Sequence, residues 1–280
     1  ISEFKKYFST ALSNGIGEYK SYVIKYDATN AQRFDKLKEL MDRNGIQYSS
    51  GNGAARGYNY FNGKEEAFSI GEGDMLISSF QPRSAMVKVL FEPRSKLNDS
   101  VTYDITAWSL PYVYGLKAFA SRDKLTASGP LNSSKAVNKE TGYGYVMPWN
   151  GVRSARAAGQ LLQQGVTLRY AETPFELNGN KFERGSVIIL QTSNTAKGKN
   201  LWSLVRSVAD ANNIQLYPVN SGMVDKGFDF GSDMVHTLKA PSVYMITGDA
   251  ISTTAAGGIW SFFEQELGYP LTQDSTKDIQ

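Results

Sequence analysis

The chain has 280 residues, 41% hydrophobic and 20% charged, with 30 Lys and Arg against 27 Asp and Glu for a net charge of +3. That length can bury a sizeable core without a metal or disulfide staple, and the composition is that of a globular rather than a disordered chain. There is no cysteine, which removes disulfides, thiolate zinc sites and a cysteine nucleophile; no basic stripe marks nucleic acid, and no apolar run is long enough to span a bilayer.

Tyr22-Val23-Ile24 opens the chain's regular pattern as a β-prone run. Thr29 or Asn30 offers a side-chain oxygen to cap the helix that follows, in which Ala31, Phe34, Leu37 and Leu40/Met41 recur at helical spacing. Gly45 supplies a left-handed stop before a strand at Ile46-Gln47-Tyr48. Asn62-Gly63 signals a hairpin, and a strand over 73–77 and a helix over 82–91 complete a first unit. From Tyr145 the same order returns. A strand at Tyr145-Val146-Met147 leads to a helix that Ser154 can cap and that carries Ala157, Ala158, Leu161 and Leu162. Gly165, a strand over 166–170, the turn Asn178-Gly179, a strand over 185–189 and a helix over 201–211 follow. A third unit starts at Ser242 with a strand over 243–246, turns at Gly248-Asp249, and runs from Thr253 through Ile259, Phe262/Phe263 and Leu267 to Gly268.

This alternation predicts an α/β fold: two or three successive strand-helix units on a largely parallel sheet with right-handed crossovers, in flavodoxin-like layers. The predicted division is a first unit over 1–120, a polar linker over 121–141, a second unit over 142–240, and the start of a third over 241–280. That last piece either completes a sheet begun earlier or belongs to a chain running on past Gln280. The start at Ile1, without Met or signal peptide, reads as a piece with anything upstream removed.

Few residues carry chemistry. His236 is the only histidine, too few for the usual zinc sets, and no Gly-x-Ser-x-Gly elbow supports a triad. It reads as a polar residue near a turn leading into Leu238 and Pro241. GNGAARG at 51–57 precedes Tyr58-Asn59-Tyr60-Phe61 rather than a helix, so it reads as a flexible loop, not a phosphate cradle. GDAISTTAAGG at 248–258 does join a strand to a helix, but it lacks the dinucleotide spacing and a Walker lysine. Asp225, Asp229 and Asp233 depart from EF-hand spacing and read as loop aspartates bonded to their own backbone. Trp149 ends a strand and opens a helix; ligand contact and cover for the core are both open to it.

The stretch LNDSVTYDITAWSLPYVYGL, at 97–116, crowds Asp99, Tyr103, Asp104 and Trp108 among hydroxyls. With EGDMLISSFQPRSAMVKVLFEPRSK before it, it resembles the segment that follows the catalytic domain in large bacterial zinc carboxypeptidase-like proteins. GYGYVMPWN and PFELNGNKFERGSVIIL are similar to the next segment of those proteins. FDFGSDMVHTLKAPSVYMITGD, running on to IWSFFEQELGYPLT, resembles the entry into their class I glutamine-amidotransferase-like domain. The resemblance spans roughly 21–272 and implies amidotransferase-like layers at the end of the chain. It also implies a parent with an N-terminal metallocarboxypeptidase domain, exported to the periplasm or beyond. There zinc is held by a His-x-x-Glu pair and a later His, with a Glu as general base. None of those motifs occurs here, so no catalytic residue, metal ligand or cofactor site carries over to this chain; zinc is expected only in the parent's catalytic domain.

What the resemblance implies for this chain is an accessory region, packing on or modulating the peptidase domain of the same parent. Asp99, Tyr103, Asp104, Trp108 and Trp149 form the candidate binding or interdomain surface, with the Trp108 ring mostly buried and Asp104 capping a turn. Sixteen Tyr and four Trp sustain a second expectation, a peptide- or glycan-binding module with no enzymatic partner domain.

Overall fold

The structure, a computed structural model, describes residues 1–94, 109–131 and 136–276. The chain divides into two compact units, Ile1–Ser134 and Lys135–Gln280.

The first unit contains α1 (Ser2–Asn14), β1 (Ser21–Ile24), α2 (Ala31–Arg43), β2 (Ser49–Gly51), β3 (Gly53–Asn59), β4 (Glu65–Ile70), β5 (Met75–Ser78), α3 (Ser84–Phe91), α4 (Leu110–Tyr114), β6 (Ala118–Ser121) and β7 (Ala127–Gly129). Its seven strands form one sheet in the order β4-β3-β6-β1-β5-β2-β7. β1 is buried along its whole length. Alternate residues serve opposite faces, as the two-residue period of a strand requires. Tyr22 and Ile24 pack with Met75, Ile77, Phe34, Leu37, Met41 and Phe91, while Val23 packs with Leu76, Phe68 and Phe119. α2 is entered through a 3-10 turn, Ala28–Asn30, capped by Asp27. The Asp27 carboxylate accepts from the Thr29 hydroxyl and backbone N–H, which hold its pKa below the usual range, and the Asn30 side chain accepts from the Asp27 N–H.

The second unit contains β8 (Gly144–Met147), α5 (Val152–Gln163), β9 (Leu168–Ala171), β10 (Phe175–Leu177), β11 (Asn180–Phe182), β12 (Val187–Leu190), α6 (Leu201–Ala211), β13 (Tyr217–Val219), β14 (Val235–Leu238), β15 (Tyr244–Thr247), α7 (Thr253–Ser261) and β16 (Thr272–Ser275). Five strands form a sheet in the order β13-β8-β12-β9-β14. β8 and β12 are buried throughout, and α5 and α6 cover one face with Ala157, Leu161, Val205 and Val208. Phe175, Phe182 and Phe230 pack with Val146 and Ile188 on the other. β10 and β11 form a separate hairpin; its turn residues Asn178 and Gly179 both have positive φ, the geometry Asn-Gly tolerates.

The expectation of a largely parallel, flavodoxin-like sheet is wrong. Every pairing in the seven-stranded, five-stranded and hairpin sheets is antiparallel. The physical reason lies in one inserted strand per unit. β1 and β2 are each antiparallel to β5, so they run the same way across helix α2, but β5 lies between them. β8 and β9 relate in the same manner across α5, with β12 between them. A strand-helix-strand pattern fixes the direction of the two strands, not their adjacency, and the split form of the motif is a standard alternative. Among the described residues only β15 and β16 pair in parallel, joined by α7 and a wider π-helical turn, Phe262–Leu267.

Both units therefore share one topology. The inner order β6-β1-β5-β2-β7 matches β13-β8-β12-β9-β14 strand for strand. Buried amides clamp equivalent places. The Gln81 side chain accepts from Gln47 N–H at 2.8 Å and donates to the carbonyls of Gln47 and Ser78. The Asn194 side chain accepts from Thr167 N–H at 2.7 Å and donates to the carbonyls of Thr167 and Leu190. Each clamp satisfies backbone groups at the start of one strand and the end of the neighbouring one, where buried polar atoms have no water to turn to.

Local expectations also shift. The strand after Gly45 begins at Ser49 rather than Ile46. GNGAARG is not a loop: it runs from the end of β2 into β3, and the site of a Cβ at Gly57 is 2.5 Å from the Ala120 carbonyl oxygen of neighbouring β6. That close approach, not phosphate, explains this glycine.

Candidate functional site

Trp149 lies in the loop between β8 and α5. Ser154 does not cap α5, which starts at Val152; it is buried in the first turn. Its hydroxyl donates to the Pro148 carbonyl at 2.9 Å and accepts from Asn150 N–H, holding the loop around the tryptophan. The indole is 41% exposed and lies over Gly185, where a Cβ would stand 3.6 Å from the ring. Gly185 has φ +85, a left-handed conformation that suits glycine on its own account.

The free side of the indole borders a pocket of about 290 Å³. One wall is α5, through Ala155, Ala158, Gly159 and Leu162. The other is the end of β14 and the segment after it, through Leu238, Pro241 and Val243, and the C-terminal arm, through Phe263, Leu267 and Tyr269. Lys239 stands at its edge. Three contacts hold the arm. The Arg156 guanidinium donates to the Glu266 carbonyl at 2.6 Å and to that of Gln265. The Tyr269 hydroxyl donates to the Pro241 carbonyl at 2.7 Å. The Tyr269 ring fills the space above Gly159, where a Cβ would come within 2.9 Å of it. The carbonyls that Arg156 takes lie at the end of the π-helical turn, where intrahelical partners run out.

Of the other candidate residues, Asp99, Tyr103, Asp104 and Trp108 lie outside the described residues. The described end of their stretch forms α4, started by Leu110-Pro111 and stopped by left-handed Gly115. Tyr112 of α4 is 46% exposed and meets Tyr60 edge-on at 5.2 Å; burial and contact with Tyr58 push its phenol up to about 12. His236 is in β14 rather than near a turn. Its Nε2 is 2.7 Å from Glu172 Oε2, and the Tyr170 ring lies 5.3 Å away. Both members of that pair are exposed. Asp229 accepts from Val224 N–H, a local backbone role. Among the described residues no group of three or more His, Cys, Asp or Glu gathers in a way that could hold a metal ion. No helix of the described residues is long and apolar enough to cross a membrane.

The pocket thus contains one residue that the sequence singled out, Trp149, and several that it did not. Gly159 had a signal: a glycine inside an otherwise regular helix, beside Ala157 and Ala158, marks a close approach. Tyr269 and Lys239 had none, because their wall comes from chain about 80 to 120 residues further on. Compared with protein-family models, with curated proteins and with solved structures, the chain finds no match.

Proposed function

We propose that this chain is an accessory, non-catalytic region of an exported zinc metallocarboxypeptidase-like protein, and that it works by seating an apolar group in the pocket at Trp149. The parent's peptidase domain is the partner, the parent's zinc belongs to that domain, and the site of action is the periplasm or the cell exterior. Resemblance of the segments at 72–116, 142–150 and 174–190 supports the parentage. The pocket carries the binding role: an exposed tryptophan at the rim of a well-formed apolar hollow is the usual form of a small recognition site. The lining also favours a peptide over a glycan. Sugar hydroxyls need hydrogen-bond partners on entering such a site, and the Ala, Leu, Val, Phe and Pro side chains that make up most of the lining supply none. An apolar peptide side chain, from the peptidase domain or from its substrate, fits.

Calorimetric titration with N-acetyl-leucinamide, N-acetyl-phenylalaninamide and diacetylchitobiose tests the binding role. The two amides are expected to bind and the sugar to be silent, and Ala155→Phe, which fills the pocket, abolishes the heat. Binding of the sugar alone replaces the proposal with a glycan module, and silence of all three overturns it. Sequencing the coding region before Ile1 tests the parentage. A His-x-x-Glu pair with a later His upholds it, and a start codon directly before Ile1 removes it.

A further inference from the structure

We infer that the pocket at Trp149 selects an amphiphilic carboxylate, with its apolar body in the hollow and its anionic head on Lys239. The inference rests on the pocket being a binding site, as proposed above, and adds the class of ligand. Two features of the lining point to it. First, Ala158, Leu162, Phe263 and Leu267 have no side-chain polar atom with which to satisfy a buried amide or hydroxyl, so the part of the ligand inside must be apolar. At roughly 30 Å³ for each water-sized group, 290 Å³ holds about nine or ten heavy atoms, a medium acyl chain or one aromatic ring with a short stem. Second, the only charged side chain in the lining is Lys239, which is exposed and has no ion-pair partner among the described residues.

The surroundings add to that charge. Arg156, in α5, gives its guanidinium to two backbone carbonyls and, among the described residues, to no carboxylate, so its charge stands. Glu264 and Glu266 belong to the facing turn, but neither lines the pocket. A single ammonium on a flexible stem matches one carboxylate as a point charge; it is not the forked geometry that selects phosphate. Because Lys239 is solvated, the selection is modest, about twofold to fivefold at low salt.

Calorimetry with octanoate, octanamide and octylamine on the whole chain reads this directly. Octanoate is expected to bind about twofold to fivefold tighter than octanamide, and octylamine weaker than both. Lys239→Met, which keeps the stem, levels octanoate and octanamide, and salt of about 1 M, where screening shortens to about 3 Å, does the same to the native protein. Unchanged thermal melting of the variant confirms that it folds. N-acetyl-phenylalanine beside its amide separates the two sources of such a ligand: a preference for the acid marks a peptide terminus, and silence with octanoate still bound marks a free acyl chain. Either outcome supports the carboxylate class. Equal binding of octanoate and octanamide to the native protein, or a preference that survives Lys239→Met, overturns this inference and leaves the pocket proposal standing. Silence of all the probes overturns both.

Discussion

Helices α2 and α5 occupy the same place in the two units and end in the same way. Gly45 N–H bonds to Asp42 and Ile46 N–H to Met41; Gly165 N–H bonds to Leu162 and Val166 N–H to Leu161. Aligned on those glycines, their inner faces agree: Phe34, Leu37 and Met41 are buried in one, and Ser154, Ala157 and Leu161 in the other. Their outer faces do not, and in α5 that face is partly covered, with Ala158 and Gly159 buried as well. Asp35, Lys38, Glu39 and Asp42 of α2 stand opposite Ala155, Ala158, Gly159 and Leu162 of α5. These four α5 residues are the ones that line the pocket. One topology thus supports a charged face in the first unit and a receiving face in the second, and on the helix itself the difference lies in four side chains rather than in the backbone. The inner face holds the unit together, and the outer face decides what it can bind.

Three sets of substitutions sharpen or break that contrast. The largest effects belong to the shared inner faces. Met41→Ala and Leu161→Ala should each cost about 2–5 kcal/mol in urea denaturation, since each leaves a cavity beneath its helix. A small loss at either site would mean that the two inner faces are not equivalent. The amide clamps come next. Gln81→Ala and Asn194→Ala each strand a buried backbone N–H and two carbonyls, for an expected loss of about 1–3 kcal/mol. Unequal losses would show that the matching geometry has unequal weight.

The smallest effects come from exchanging the outer faces. Gly159→Glu places on α5 the residue that α2 carries at Glu39. It improves local helix propensity by roughly 0.5–1 kcal/mol but removes the space that Tyr269 occupies. Hydrogen exchange should then quicken at Phe263–Tyr269 while the global midpoint barely moves. The converse change, Lys38→Ala on α2, should stay within about 0.5 kcal/mol. Slow exchange at the arm of the Gly159→Glu protein would show that the arm is held without the Gly159 contact.

Much of the element order was legible in the sequence because local rules govern it. Helical spacing around Leu37 and Leu161, the stops at Gly45 and Gly165, and the Asn178-Gly179 turn all act within a few residues. The recurrence of one order in both halves was legible for the same reason. Strand adjacency was not. Nothing near β1 or β8 announces that β5 will enter between β1 and β2, or β12 between β8 and β9, because β1, β5, β8 and β12 are all buried apolar runs that could neighbour one another. A continuous apolar run such as Val187–Leu190 fits a buried antiparallel strand as well as a parallel one. In the candidate site, Trp149 was visible as a large aromatic ring at a strand end. The opposite wall was invisible, since nothing near Trp149 announces that Tyr269 will lie above Gly159.

Strand β1 is flanked by β5 and β6, and Ser21 pairs with both Ser78 and Ser121. The second partner is made one hundred residues after the first strand. At about 5–20 residues per second, a ribosome takes roughly 5–20 s to supply it. For that interval the most deeply buried strand of the finished unit has an open edge on the nascent chain. Val23 and Ile24, fully buried at the end, are then a sticky surface that a chaperone, or another nascent copy, has seconds to find.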